Sequence, residues 1–219
     1  TAGGVAPAHR GEHRWPMALA VLVAVALQFT LPDRHVLSPT LLFPGVEVCL
    51  LLALIIGDPG RIDRRSNLLR RLMLALVVVM TLDNIAAVVE LIAAILDDDP
   101  QETATVLLGT GAAIWLTNII AFSLWYWLLD RGGPAERAAG SDHAPSFVFG
   151  EMQNPEYVED GWVPVYADYL YLAFTNATAF SPTDTLPIQR WAKMTMMVQA
   201  ALSLVIAVMI IARAVNILA

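Results

Sequence analysis

The sequence predicts an all-α integral membrane protein, with about five transmembrane helices plus a short pore-like helix before the last one. Three observations predict it. Of 219 residues, 57% are hydrophobic and 15% charged, too apolar for a water-soluble domain of this size. Several runs exceed the ~17 nearly uncharged residues that a helix needs to cross a roughly 30 Å hydrocarbon core. The acids and arginines gather between those runs.

The same composition excludes several functions. The net charge of -7 comes from loop acids, and no basic stripe with interleaved aromatics offers itself to nucleic acid. Cys49 is the single cysteine, which rules out an intrachain disulfide and a cysteine-rich metal site. No Gly-x-Ser-x-Gly, His-Glu-x-x-His or phosphate-cradling loop occurs, so neither enzyme activity nor a cofactor is expected.

The elements follow in order. Residues 1–14 read as a flexible N-terminus; His9 and His13 are separated by Gly11 and lack a third ligand, so no metal is expected there. Residues 15–130 read as a four-helix membrane region. Its first helix runs from Trp15 to Leu31, with Pro16 tolerated in the first turn, and is expected to be retained rather than cleaved as a leader. The second runs from about Leu41 to Ile56, carries Glu47, and is stopped by the Gly/Pro cluster of "GDPGRIDRRSN".

The third, about Leu68 to Leu96, contains Asp83, Asn84 and Glu90 and is stopped by "DDDPQE". The fourth, about Thr105 to Leu129, carries Asn118, and its Trp125, Tyr126 and Trp127 suit an interfacial aromatic belt. Residues 131–161 form a polar acidic loop, too long for a simple connector. Residues 162–219 then supply a short apolar helix, a turn, and a last helix from Pro187 to about Leu218 containing Gln199.

The stretch "FTNATAFSPTDTLP" between those last two helices admits two readings. It has the Pro, Ser, Thr and Asp of an ordinary turn, with Asp184 or Thr185 placed to cap the final helix. The apolar segment before the turn, however, would span only about 22 Å as a helix. It also carries Asp168, Thr175, Asn176 and Thr178, which need protein or water around them at membrane depth. A short helix that enters and returns as extended chain meets that need.

The run "YLAFTNATAFSPTDTLP", followed by an arginine and a long apolar helix, resembles the pore region of tetrameric potassium channels. The resemblance covers about fifty residues, from Asp168 to Leu218, including the ending "IARAVNIL". The rest of the chain resembles an uncharacterised bacterial multi-helix membrane family that shares this ending. On the channel pattern, Thr178 matches a pore-helix threonine and Ala179, Phe180, Ser181, Pro182 and Thr183 occupy the filter. Asp184 matches the filter aspartate and Pro187 the proline after it.

The resemblance implies a homotetramer in a bacterial inner membrane, with monovalent cations as partners. The filter itself departs from the family: Ser181 and Thr183 stand where glycines let successive carbonyls face the axis, and Pro182 replaces the tyrosine. A potassium filter of the usual geometry is therefore not expected. Hydroxyls from Ser181, Thr183 and Thr185 with an acidic ring from Asp184 would favour cations without close size selection.

Glu47, Asp83, Asn84, Glu90, Asn118 and Gln199 form a second set of candidates. Each lies within an apolar helix, where a carboxylate costs at least about 2.5–3.5 kcal/mol. They point either to a proton or cation path or to neutral contacts between helices. A proton-coupled transporter built on Glu47, Asp83 and Glu90, and a non-conducting scaffold that uses the 131–161 loop, are the alternatives to a channel.

Orientation is unresolved at this level. Arg10, Arg14, Arg61, Arg64, Arg65, Arg70 and Arg71 mark the N-terminus and the second loop as cytoplasmic. The 131–161 loop is then also inside, whereas potassium channel pore loops enter from outside. Either the loop enters from the cytoplasm, or Trp162–Phe180 spans fully, or the charge rule misleads.

Overall fold

The computed structural model describes residues 11–31, 41–96, 104–140, 142–179 and 184–218; at 96, 104, 179 and 213–218 only the backbone is described. Among the described residues the protein is all-α apart from one two-stranded ladder and one isolated bridge, His13 to Arg61. Its helices are α1 (Trp15–Gln28), α2 (Leu42–Gly57), α3 (Asn67–Leu96) and α4 (Ala104–Leu129), then the short α5 (Pro134–Ala138) and α6 (Gly150–Gln153). The last two are α7 (Tyr166–Ala179) and α8 (Arg190–Leu218).

Among the described residues three helices, α3, α4 and α8, are long and apolar enough to cross a membrane, while α1 and α2 are apolar but shorter. At 1.5 Å per residue, α1 with 14 residues reaches about 21 Å. It stops at Gln28 because both the backbone N–H and the hydroxyl of Thr30 turn back to Leu27 O. The sequence placed that end three residues later.

α4 is the hub, packing on α1, α3, α7 and α8, and it is apolar around its whole circumference as a central helix must be. Trp127, Tyr126, Met17, Leu54, Leu76 and Met80 fill the main core. Val88, Leu91, Leu107, Ile114, Ile206 and Ile210 fill a second cluster toward the other end of the bundle. There Gly111 lets Ile210 approach the α4 backbone in the space a side chain would occupy.

Tyr126 and Trp127 correct the aromatic-belt expectation. They are 0% and 1% exposed, and Trp125 donates its indole N–H to Thr81 Oγ1 of α3 at 2.8 Å. Neighbouring positions on a helix point about 100° apart, so three consecutive aromatics cannot all face lipid, and on this central helix Tyr126 and Trp127 turn into the bundle.

The 131–161 segment also departs from a plain polar loop. After α4 the chain makes a 3-10 turn, Asp130–Gly132, in which Arg131 takes φ 48°. It then folds back so that Phe147 (0% exposed), Phe149 (4%) and Ser146 (1%) are buried. Strand β1 (Phe147–Val148) pairs antiparallel with β2 (Leu186–Pro187), in register Phe147 to Pro187 and Val148 to Leu186.

The end of the N-terminal segment, read as flexible, is tied down from Gly11 onward. Gly11 N–H donates to Asp63 Oδ1 at 2.6 Å and His13 bridges to Arg61. Arg14, 3% exposed, pairs with Asp58 Oδ2 at 3.0 Å.

Candidate functional site

The decisive geometry is the direction of α7. Along α4 toward its N-terminus, α7 contacts ascend: Trp127 and Ser123 meet Tyr166, and Trp115 meets Phe174. Contacts with α8 ascend in the same sense: Tyr126 meets Gln199, Asn118 meets Ser203, and Gly111 meets Ile210. Both helices are antiparallel to α4, so α7 and α8 run parallel to each other.

Their N-termini therefore lie at one end of the bundle, where Phe147 packs against both Tyr169 and Trp191 at 6.4 and 5.8 Å between ring centroids. This is the arginine-rich end, shared with Arg14, Arg61, Arg65 and Arg137. α7 has 14 residues, about 21 Å, and ends deep in the bundle, three residues past Asn176, which bonds Met196 and Gln199. By Asp184, whose Oδ2 accepts from Tyr171 Oη at 3.1 Å, the chain is on its way back. At Leu186–Pro187 it has rejoined Phe147–Val148. The start of α7 and the ladder residues Leu186–Pro187 therefore lie at the same end of the bundle.

Polar side chains fix α7 against its neighbours. Gln199, 0% exposed, accepts from Tyr126 Oη at 2.6 Å and from Asn176 Nδ2 at 2.8 Å, and donates to Ala173 O at 2.8 Å. Asn176 also donates to Met196 O at 3.0 Å. The sequence singled out Asn176 as needing protein or water around it, but not its pairing with Gln199 and Tyr126; a polar residue on each of three apolar helices was the available signal.

Gln199→Leu leaves the Tyr126 hydroxyl and the Asn176 amide buried without their shared acceptor. A loss of about 2 kcal/mol is expected, against about 1 kcal/mol for Tyr126→Phe. Thermal unfolding in detergent reads both.

A second cluster seats the start of α7. Glu12 Oε2 accepts the Tyr166 backbone N–H at 2.7 Å, and its Oε1 accepts Trp127 Nε1 at 2.5 Å and Arg137 Nη2 at 3.3 Å. The carboxylate caps an amide that the helix itself leaves free, at the helix end that favours negative charge. Burial pushes the Glu12 carboxyl up from its ordinary range, while Arg137 and the two N–H donors draw it back.

Arg137 donates to Trp127 O and Asp130 O, and its guanidinium lies 5.0 Å over the Tyr169 ring. Asp130, 0% exposed, accepts from Tyr169 Oη at 2.6 Å and from Ser146 N–H at 2.7 Å. Glu12, Arg137 and Asp130 carried no sequence signal beyond their charge.

The remaining candidates divide. Thr178 is exposed and bonds back to Phe174 O and Thr175 O of its own helix. Ala179 ends α7; Phe180, Ser181, Pro182 and Thr183 lie outside the described residues. Asp184 is exposed, whereas Thr185 is 4% exposed and faces inward. Asp168 sits in the first turn of α7, accepting Val165 N–H at 2.7 Å, rather than at depth.

On the other side of the bundle Asn84 donates to Ile114 O at 3.0 Å. Asn118 Nδ2 lies 3.5 Å from Ser203 Oγ. Glu47 is fully buried and Glu90 is 8% exposed. Among the described residues no group of three or more His, Cys, Asp or Glu is placed to hold a metal.

No protein-family model, curated protein or solved structure matches this chain.

Proposed function

We propose that the protein is a channel-like membrane protein in which α7 is a re-entrant helix, with several copies assembling so that α7, residues 180–184 and α8 wall a cation pathway. The observation that carries this reading is the parallel course of α7 and α8 with the chain returning between them. Helix in, chain out, helix across is the layout of the potassium channel pore region that the sequence resembles. The C-terminus of α7, where unpaired carbonyls concentrate partial negative charge, points into the bundle, and Asp184 adds a carboxylate on the return.

The uncovered face of the site supports assembly. Tyr171 and Phe174 on α7, and Met194, Met197, Val198, Leu204 and Val208 on α8, are exposed large side chains. The Tyr171–Asp184 pair also lies on exposed surface, where within a bilayer it needs protein or water beside it. Arginines at the same end make that end cytoplasmic by the charge rule. The loop then enters from the cytoplasm, opposite to the potassium channel arrangement, and the likeness is one of layout rather than of side.

Native mass measurement in lipid discs and cation flux into liposomes test the proposal together. Four copies and a measurable monovalent cation flux, cut several-fold by Asp184→Asn, are expected. A monomer without flux overturns it.

A further inference from the structure

A second polar site lies away from α7, where α1, α2 and α3 meet. Gln28 of α1 donates its Nε2–H to Glu47 Oε2 of α2 at 2.8 Å. The other oxygen of each group, Gln28 Oε1 and Glu47 Oε1, is buried without a hydrogen-bond partner. An amide oxygen and a carboxylate oxygen are both acceptors, so neither can satisfy the other while Glu47 is ionised. Leaving two buried oxygens unpaired is costly, and an isolated buried carboxylate normally neutralises instead.

The bond already present is one half of the ring in which an amide and a carboxylic acid pair. The other half is an O–H from the acid to the amide oxygen. With the two side chains closed into that ring, one proton on Glu47 Oε1 answers both orphaned oxygens.

We propose that Gln28 and Glu47 form a proton-binding site inside the bundle, in which Glu47 Oε1–H donates to Gln28 Oε1. The charged surroundings fit a proton. α1 carries no charged residue between Trp15 and Gln28, and α2 carries only Glu47 between Leu42 and Gly57. From α3 the group whose charge reaches Glu47 is another acid, Asp83, which in turn acts on Glu90 farther along the same helix. No cation among the described residues balances Glu47. Glu90 Oε2 is likewise unpartnered, so Asp83 and Glu90 continue the carboxyl series from the loaded site along α3. Two free oxygens are too few for a bare hard cation, which takes about six.

Infrared spectra of the protein in liposomes at neutral pH test this, and the readout does not depend on flux or on copy number. The wild type is expected to show a protonated carboxylic acid band component that is lost in Glu47→Gln. In Gln28→Leu, which removes the acceptor, the band moves to higher frequency. Arg34→Gln, on the connection that lies outside the described residues together with Asp33 and His35, is expected to leave it in place.

A wild type without such a band, or a band unchanged in Glu47→Gln, overturns the proposal. So does loss of the band when sodium chloride replaces choline chloride, which assigns the site to sodium. Glu47→Gln keeps a partner for Gln28 and is expected to fold. Should it not, an unmoved band in Gln28→Leu overturns the proposal by itself.

Discussion

Phe147→Ala is expected to cost about 3–5 kcal/mol, the range for emptying a buried aromatic site. Its ring is 0% exposed and meets Tyr126 at 5.2 Å, Trp191 at 5.8 Å and Tyr169 at 6.4 Å between centroids. These partners belong to α4, α8 and α7, so one side chain from the 131–161 segment joins three helices. Each edge-on aromatic pair adds about 0.5–1.5 kcal/mol beyond burial. The cavity cannot collapse without moving the ladder, because Phe147 also pairs with Pro187. Thermal unfolding in detergent measures the loss. Limited proteolysis should show faster cutting at 180–187 than in the wild type. A loss under about 1 kcal/mol would mean that the segment is an accessory rather than the clamp on the returning chain.

Glu12→Ala is the second large effect, also about 3–5 kcal/mol, because it strands a buried guanidinium. The two side chains are 11% and 4% exposed, so solvent does little to relieve Arg137. Glu12→Gln should also be costly: its single amide oxygen can replace Oε1, which accepts from Trp127 and Arg137, or Oε2, which accepts from Tyr166, and its NH2 then faces the remaining N–H donor. Acidity distinguishes the two states of Glu12. Its carboxyl is raised on folding from 4.5. A group raised in this way contributes most stability below its unfolded value, and loses that contribution as the pH climbs through the folded one. Wild-type stability should therefore slip as pH rises above about 4.5, and Glu12→Gln should lack that component. Unfolding midpoints across weakly acidic pH measure it.

Much of the bundle was legible because hydropathy and stop residues are local signals. α3, α4 and α8 each begin within three residues of the positions read from sequence. The short α7 was legible too, from a segment too brief and too polar to cross. What was not legible depends on long-range pairing. Nothing near residue 184 says that it will fold back toward residues 147–148, so the direction of α7 stayed open. Phe147, Val148 and Phe149 form a short apolar run of strand-favouring residues, but acidic, Gly- and Pro-rich neighbours masked it. Glu12 lay in a tail whose composition promised no structure. Its partners are 115, 125 and 154 residues away, beyond the reach of any local rule.

That last separation bears on how the molecule is made. A chain emerging residue by residue places α1 to α4 before Tyr166 exists. The contacts of Glu12 with Trp127 and Arg137 can form before its contact with Tyr166, which closes last. Long sequence separations of this kind slow assembly, since chain entropy is spent before the contact repays it. The residues around Glu12, Trp127 and Arg137 and the segment from Tyr166 onward carry complementary halves of one joint.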